Sequence, residues 1–271
     1  MKYPVGRLVL IAAIAGLWLI LAVIGLRSLG MSDQFQAYDH PLVKESYWLI
    51  AWGGDETDAK PMTKTAFLNA EKLHPELILG AAVQSLKDGT LVIADKHFSY
   101  DGEDVVFLRR LTYEEWKSSN PDGLTLTEFV TEFSDRSLYF NLDRLNLMNH
   151  ASLFKSLEPL HEKRQVLIKS SPQGIKKKLK EKQPWWLFSN TTAEIGKFKL
   201  MQALFLEPVA SLNADFFVDK SFAPRLIDEI HRRYKKAIYE PKPDETEVLV
   251  KARGYDGLVT TKPSEFISLV D

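Results

Sequence analysis

Between Trp48 and Asp95 the chain alternates apolar runs and turn signals in an order that leaves few architectures open. Trp48-Leu49-Ile50-Ala51 reads as a short buried strand running into Trp52-Gly53-Gly54, and a helix-length segment follows from Pro61 to His74. Leu77 to Gln84 reads as a second strand, Lys87-Asp88-Gly89 as hairpin-turn chemistry, and Leu91 to Asp95 as a third strand. Strand, glycine turn, helix, strand, Asp-Gly turn and strand make a βαβ unit with a hairpin on its second strand.

The rest of the chain repeats the alternation. Eight candidate strands fall at 47–52, 77–83, 137–143, 165–170, 185–189, 214–218, 236–240 and 256–261, with 90–95 as an extra hairpin arm or a strand in its own right. Between them lie amphipathic stretches at 125–134, 151–162, 172–182, 220–236, 244–253 and 263–270. In 220–236, Phe222, Leu226, Ile227, Ile230 and Tyr234 recur at helical spacing. Alternating β and α segments imply parallel strands joined by right-handed crossovers. At 271 residues, 45% of them hydrophobic, the length suits one (β/α)8 TIM barrel over residues 46–271 better than two domains.

The N-terminus is a separate piece. Lys2 and Arg7 precede an uncharged run from Leu8 to Leu26, and Arg27 follows it. As a helix that run would reach roughly 28 Å, close to the ~30 Å hydrocarbon core of a bilayer. Residues 1–27 are therefore expected to be an N-terminal transmembrane anchor and 28–45 a short polar tether. A cleaved secretory signal is the rival reading, but Ser28-Leu29-Gly30 is a poor small-residue cleavage pattern. The positive residues ahead of the span favour a cytoplasmic N-terminus, which puts the barrel on the periplasmic or extracellular side. With 35 basic and 36 acidic residues the net charge is -1, so nothing global argues for nucleic acid. The chain has no Cys, which excludes disulfides and thiolate metal sites.

Three segments resemble the glycerophosphodiester phosphodiesterase family of phospholipase-C-like TIM barrels. Ile50-Ala51-Trp52-Gly53-Gly54 is similar to that family's I-A-H-R-G. Gly80 to Gly89 is similar to E-x-D-V-Q-x-T-K-D-G, and Val92-Ile93-Ala94-Asp95 to V-V-x-H-D. Further on, Leu124 to Phe129 resembles P-T-L-E-E-V, Phe140-Asn141-Leu142-Asp143 resembles L-N-I-E, and Gly254 to Pro263 resembles G-x-D-G-I-x-T-D-x-P. The resemblance implies a site of two catalytic His and a divalent cation on three carboxylates, serving as general base and acid and as charge neutraliser. In this chain Trp52 stands at the first His and Gly53 at the Arg. Gly80 and Ala82 stand at two carboxylates and Ala94 at the second His, leaving only Asp143 of the cation set. A hard cation wants several converging oxygens, so no metal cofactor is expected; calcium or magnesium would require a rebuilt site.

In a barrel of this kind chemistry sits at the C-terminal strand ends. Candidates there for a ligand pocket are Trp52, Asp95, His97, Asp143, Lys169 (beside Ser170-Ser171) and Tyr239. Trp52 reads either as filler for the space left by His, Arg and metal or as the aromatic wall of a pocket for a sugar or lipid headgroup. Asp95 reads as a loop cap. The run Lys176 to Lys182 before Trp185-Trp186 reads as a solvated helix face or a headgroup-binding patch. The expectation is a membrane-anchored, catalytically inactive domain of this family that binds a small ligand or envelope protein. One alternative is an active phosphodiester hydrolase relocated onto Asp95, His97 and Asp143. The other is an assembly protein using the barrel surface.

Overall fold

The computed structural model describes residues 5–44, 47–101, 104–145, 147–169, 173–242, 245 and 247–270; Lys2, Ser46, Ser170 and Ser171 lie outside the described residues. Helix α1 (Val5–Ser32) leads to a single turn, α2 (Pro41–Lys44), and then to strand β1 (Trp48–Trp52) and helix α3 (Lys64–Leu73). Strand β2 (Ile78–Ser85) turns antiparallel into β3 (Leu91–Ile93), and a hairpin of β4 (Phe98–Asp101) and β5 (Asp104–Phe107) follows. The remaining units are α4 (Tyr113–Ser119), α5 (Leu126–Glu132), β6 (Leu138–Asn141), α6 (His150–Ser156), β7 (Val166–Lys169), α7 (Gln173–Lys182) and β8 (Leu187–Phe188). The chain finishes with α8 (Thr192–Ala203), β9 (Phe216–Asp219), α9 (Pro224–Arg232), β10 (Lys236–Tyr239), α10 (Val248–Ala252) and β11 (Gly257–Thr260).

Eight parallel strands form a nearly closed barrel in the order β8-β7-β6-β2-β1-β11-β10-β9. Between β8 and β9 the seam is a single parallel bridge, Ser189 to Phe216, flanked by Asp215 N–H to Phe188 O at 2.8 Å. Asn190 adds its side chain there, Oδ1 accepting from Val218 N–H at 2.8 Å. All eight expected strands are present, and 90–95 is the hairpin arm on β2.

Alternate strand residues fill the interior. Trp48, Ile50, Ile78, Tyr139, Leu167, Leu187, Phe216, Val218, Ile238 and Val259 form one buried cluster, with Leu42 of α2 packed among them. The opposite strand faces meet α3, α5, α6 and α7 through a second cluster that includes Phe67, Phe129 and Phe140. Three crossover helices start on Thr-x-x-Glu capping boxes, at Thr112, Thr125 and Thr191, each satisfying orphan N–H groups reciprocally.

Two expectations change. The segment 263–270 is a pair of 3-10 turns, Pro263–Glu265 and Ile267–Leu269, rather than a helix. The 28–45 segment, expected as a tether, is built into the domain: α1 continues to Ser32, His40 is 1% exposed and Leu42 fully buried. Leu42 O accepts from the Trp48 indole N–H at 2.8 Å, an anchor that a polar-looking segment does not advertise.

Candidate functional site

At the C-terminal end of β1 the backbone must turn sharply. Gly53 and Gly54 take φ +76° and +90°, and a β-carbon at Gly54 would lie 2.4 Å from the Ala66 carbonyl carbon, so only glycine fits. Gly53 N–H donates to Gly80 O at 2.7 Å, tying the turn to β2. That turn leaves Trp52 half-buried over the barrel mouth. Its Nε1–H donates to Asp95 Oδ1 at 3.2 Å, and its ring meets Tyr139 edge-on at 6.1 Å.

Trp52 also crowds β2. A β-carbon at Gly80 would sit 3.0 Å from Ile50 Cγ2, 3.2 Å from the Trp52 ring and 3.3 Å from Tyr139 Cδ1. A side chain at residue 80 therefore needs Ile50, the indole and Tyr139 to give by a few tenths of an ångström. The hydroxyl of fully buried Tyr139 has no hydrogen-bond partner, and burial pushes its pKa well up, with Glu240 and Asp143 adding to the rise.

Across the mouth, Lys169 ends β7 with its Nζ 5.9 Å from the Trp52 ring centroid, and it donates to both oxygens of Glu240 at 2.6 and 2.7 Å. Lys169 is thus already neutralised, rather than a free point charge for a phosphate. Glu240 is the partner that motif reasoning did not single out; its position one residue past β10 is the available signal.

The structure gathers Trp52, Asp95 and Lys169, and it turns His97 and Tyr239 to other neighbours. His97 starts the β4–β5 hairpin, its ring stacked on Phe107 at 5.6 Å and edge-on to Phe98 at 5.3 Å. Asp143 lies exposed beyond β6, its backbone N–H bonded to Asn141 Oδ1 at 3.1 Å. Tyr239 is on the outer face of β10, buried and stacked on Tyr255 at 5.1 Å, and does not share the mouth. Ala82 is buried on β2; Ala94 N–H donates to Ala82 O at 3.0 Å. Ala94 and Asp95 together line a cavity of about 360 Å³ with Met62, Phe98 and Trp116.

Among the described residues no group of three His, Asp or Glu could hold a metal ion. The donor set at the mouth therefore does not fit the divalent cation that the family resemblance implies. In the basic run, Lys176 donates to Ser189 O at 2.9 Å, and burial lowers its pKa. Lys180 lies 3.6 Å from Asp215 and Lys182 over Phe154, while Trp186 is buried and Trp185 exposed. Three of the five lysines in this run thus contact the barrel.

No family model matches the chain, and no curated protein does. Solved structures do. Glycerophosphodiester phosphodiesterase from Thermotoga maritima is similar at 16% identity and TM-score 0.61, over 83% of this chain and 98% of its own. The corresponding enzyme from Agrobacterium tumefaciens is similar at 13% identity and TM-score 0.61, over 82% and 99%. An Oleispira antarctica phosphodiesterase, solved with its product sn-glycerol-3-phosphate, is similar at 16% identity and TM-score 0.62, over 83% and 96%. The likeness is one of fold, and it covers nearly the whole of each neighbour: this chain folds as a (β/α)8 TIM barrel similar to theirs, and among the described residues it is preceded by one helix, Val9–Ser32 within it, long and apolar enough to cross a membrane.

Proposed function

We propose that this chain is a membrane-anchored barrel that binds a small polyhydroxyl ligand at its mouth and does not hydrolyse phosphodiesters. The observation carrying this reading is the Trp52 indole lying against Gly80, the position to which the resemblance assigns a carboxylate, where a β-carbon would meet the ring at 3.2 Å. Hydrolysis needs a proton acceptor and donor at the scissile phosphate and a cation to take its charge. Trp52 supplies none of these, since an indole has no acceptor and its N–H, a hydrogen-bond donor, is too weak an acid to give up its proton. What remains suits binding: an aromatic face, the Asp95 carboxylate as acceptor, and the Lys169–Glu240 pair offering donors and acceptors without net charge. Aromatic faces with a few convergent polar groups are the usual make-up of sites for glycerol- or sugar-type groups.

The anchor is α1, and the ligand side faces the periplasm or exterior if the N-terminus is cytoplasmic. The test uses the full chain in detergent micelles. It combines calorimetric titration with calcium, magnesium and sn-glycerol-3-phosphate with an assay of glycerophosphocholine hydrolysis. The expected result is no metal uptake, no turnover, and a weak glycerol phosphate isotherm that disappears in Trp52→Ala. Stoichiometric metal uptake with turnover abolished by Asp143→Asn would overturn the reading in favour of a relocated hydrolase.

A further inference from the structure

The apolar helix ends against the barrel, at one particular place. Arg27, the first charge after the apolar run, donates to Phe205 O at 3.1 Å and pairs with Glu207 at 2.7 Å. One turn on, a β-carbon at Gly30 would lie 2.6 Å from the Pro208 carbonyl carbon, so α1 and the 3-10 turn Glu207–Val209 touch backbone to backbone. Arg232 then caps the helix, donating to the carbonyls of Gly30 and Asp33 at 3.1 Å each. Phe35 lies beside both Arg232 and Arg233, with their guanidiniums 4.9 and 5.0 Å from its ring centroid. The end of α1 is held by the barrel rather than followed by a free linker.

That attachment fixes the level of the end of α8. Leu200, Leu204 and Phe205 are 61%, 51% and 56% exposed, an i, i+4 pair on one helix face followed by the next residue. Phe205 has φ +60°, a conformation that bulky residues rarely adopt. Leu29 and Met31 are exposed on the adjoining turn of α1. The charge around this patch is basic. Buried Glu207 receives both Arg27 and Arg225, two cations on one carboxylate, and the Arg225 guanidinium lies 4.8 Å from the Phe205 ring centroid. Lys197 is exposed one turn before Leu200. Contiguous exposed apolar side chains with a basic surround match the surface that enters the headgroup layer of an anionic bilayer.

We infer that Leu200, Leu204 and Phe205 insert into the headgroup region of the same bilayer that α1 crosses, seating the barrel on the membrane. This rests on the reading of α1 as a membrane span. Arg27 marks where the apolar run stops, and its carbonyl partner belongs to Phe205 itself, so the Phe205 side chain is within one residue's reach of the interface.

The chain has no Cys, so single substitutions give unique labelling sites. Full-length Leu17→Cys, Ala203→Cys and Ser118→Cys, each carrying an environment-sensitive fluorophore, are reconstituted in vesicles of equal parts phosphatidylcholine and phosphatidylglycerol. Quenchers are lipids spin-labelled at the headgroup or deep in the acyl chain. Ala203 adjoins the patch and leaves its three apolar residues intact; Ser118 is on α4, across the barrel. The expected result is deep quenching at residue 17, headgroup quenching at residue 203 several-fold above that at 118, and loss of the 203 signal on adding Leu204→Glu and Phe205→Glu. Deep quenching at 17 with equal values at 203 and 118 would overturn the seating while leaving the anchor intact. No quenching at 17 would overturn both.

Discussion

Trp52 and Gly80 have to be considered together, because a β-carbon on residue 80 would meet the Trp52 ring at 3.2 Å and Tyr139 at 3.3 Å. Gly80→Glu is expected to lower stability by about 1–3 kcal/mol, the usual cost of overpacking a filled interior. Adding Trp52→His should recover much of that loss, giving a coupling of about 0.5–3 kcal/mol in a denaturation-based double-mutant cycle. Simple additivity would mean that the indole does not occupy the carboxylate's space. The sequence exposed both substitutions but not their relation. Residues 28 positions apart become neighbours only because β1 and β2 pair in the register Trp52 to Gly80. Lys169 and Glu240 are the same case at longer range, two strand-end charges whose mutual neutralisation follows from barrel closure.

At the scale of elements, local signals served well where they were strong. All eight barrel strands were legible as short apolar runs, since strands buried on both faces cannot afford polar positions. Helix α8 was missed, although Thr191-x-x-Glu194 announced its start, because its exposed Leu200 and Leu204 blur the amphipathic pattern. The β4–β5 hairpin has local signals, the Phe98-Ser99-Tyr100-Asp101 alternation and Asp101-Gly102, but strands of four residues are too short to stand out. The seam between β8 and β9 depends on a side chain standing in for backbone, and no sequence period reports that. Asn190→Ala would leave the Val218 N–H buried without its acceptor and is expected to cost about 1–3 kcal/mol. Amide exchange should then accelerate first in 187–190 and 216–219; uniform acceleration would mean that the seam opens only with global unfolding.

Over the whole molecule, one of the joints between the helix-to-barrel stretch and the domain is a buried histidine. His40 Nδ1 accepts from Leu42 N–H at 3.2 Å, so its Nε2 carries the proton that goes to Trp185 O at 2.9 Å. Burial lowers its pKa from about 6.5, with backbone hydrogen bonds to Trp185 and Arg164 and the Asp215 charge opposing and the Arg164 charge assisting. Because the folded value lies below the unfolded one, this contribution is complete above about pH 6.5 and is lost as pH falls toward the folded value. Hydrogen exchange of the 40–44 amides in the full chain should therefore quicken on mild acidification, and His40→Asn should abolish that dependence; an unchanged dependence in the variant would assign it to another group. By itself the sequence determined the barrel class, the apolar N-terminal helix and the residue types at the strand ends, because each is written in local composition and order. The tertiary structure decided that Trp52 crowds residue 80, that Lys169 is spent on Glu240, that Tyr239 faces away from the mouth, and that α1 ends on the Glu207 turn. Each of these depends on strand register, strand face or the closeness of two backbones, quantities that a linear pattern does not contain.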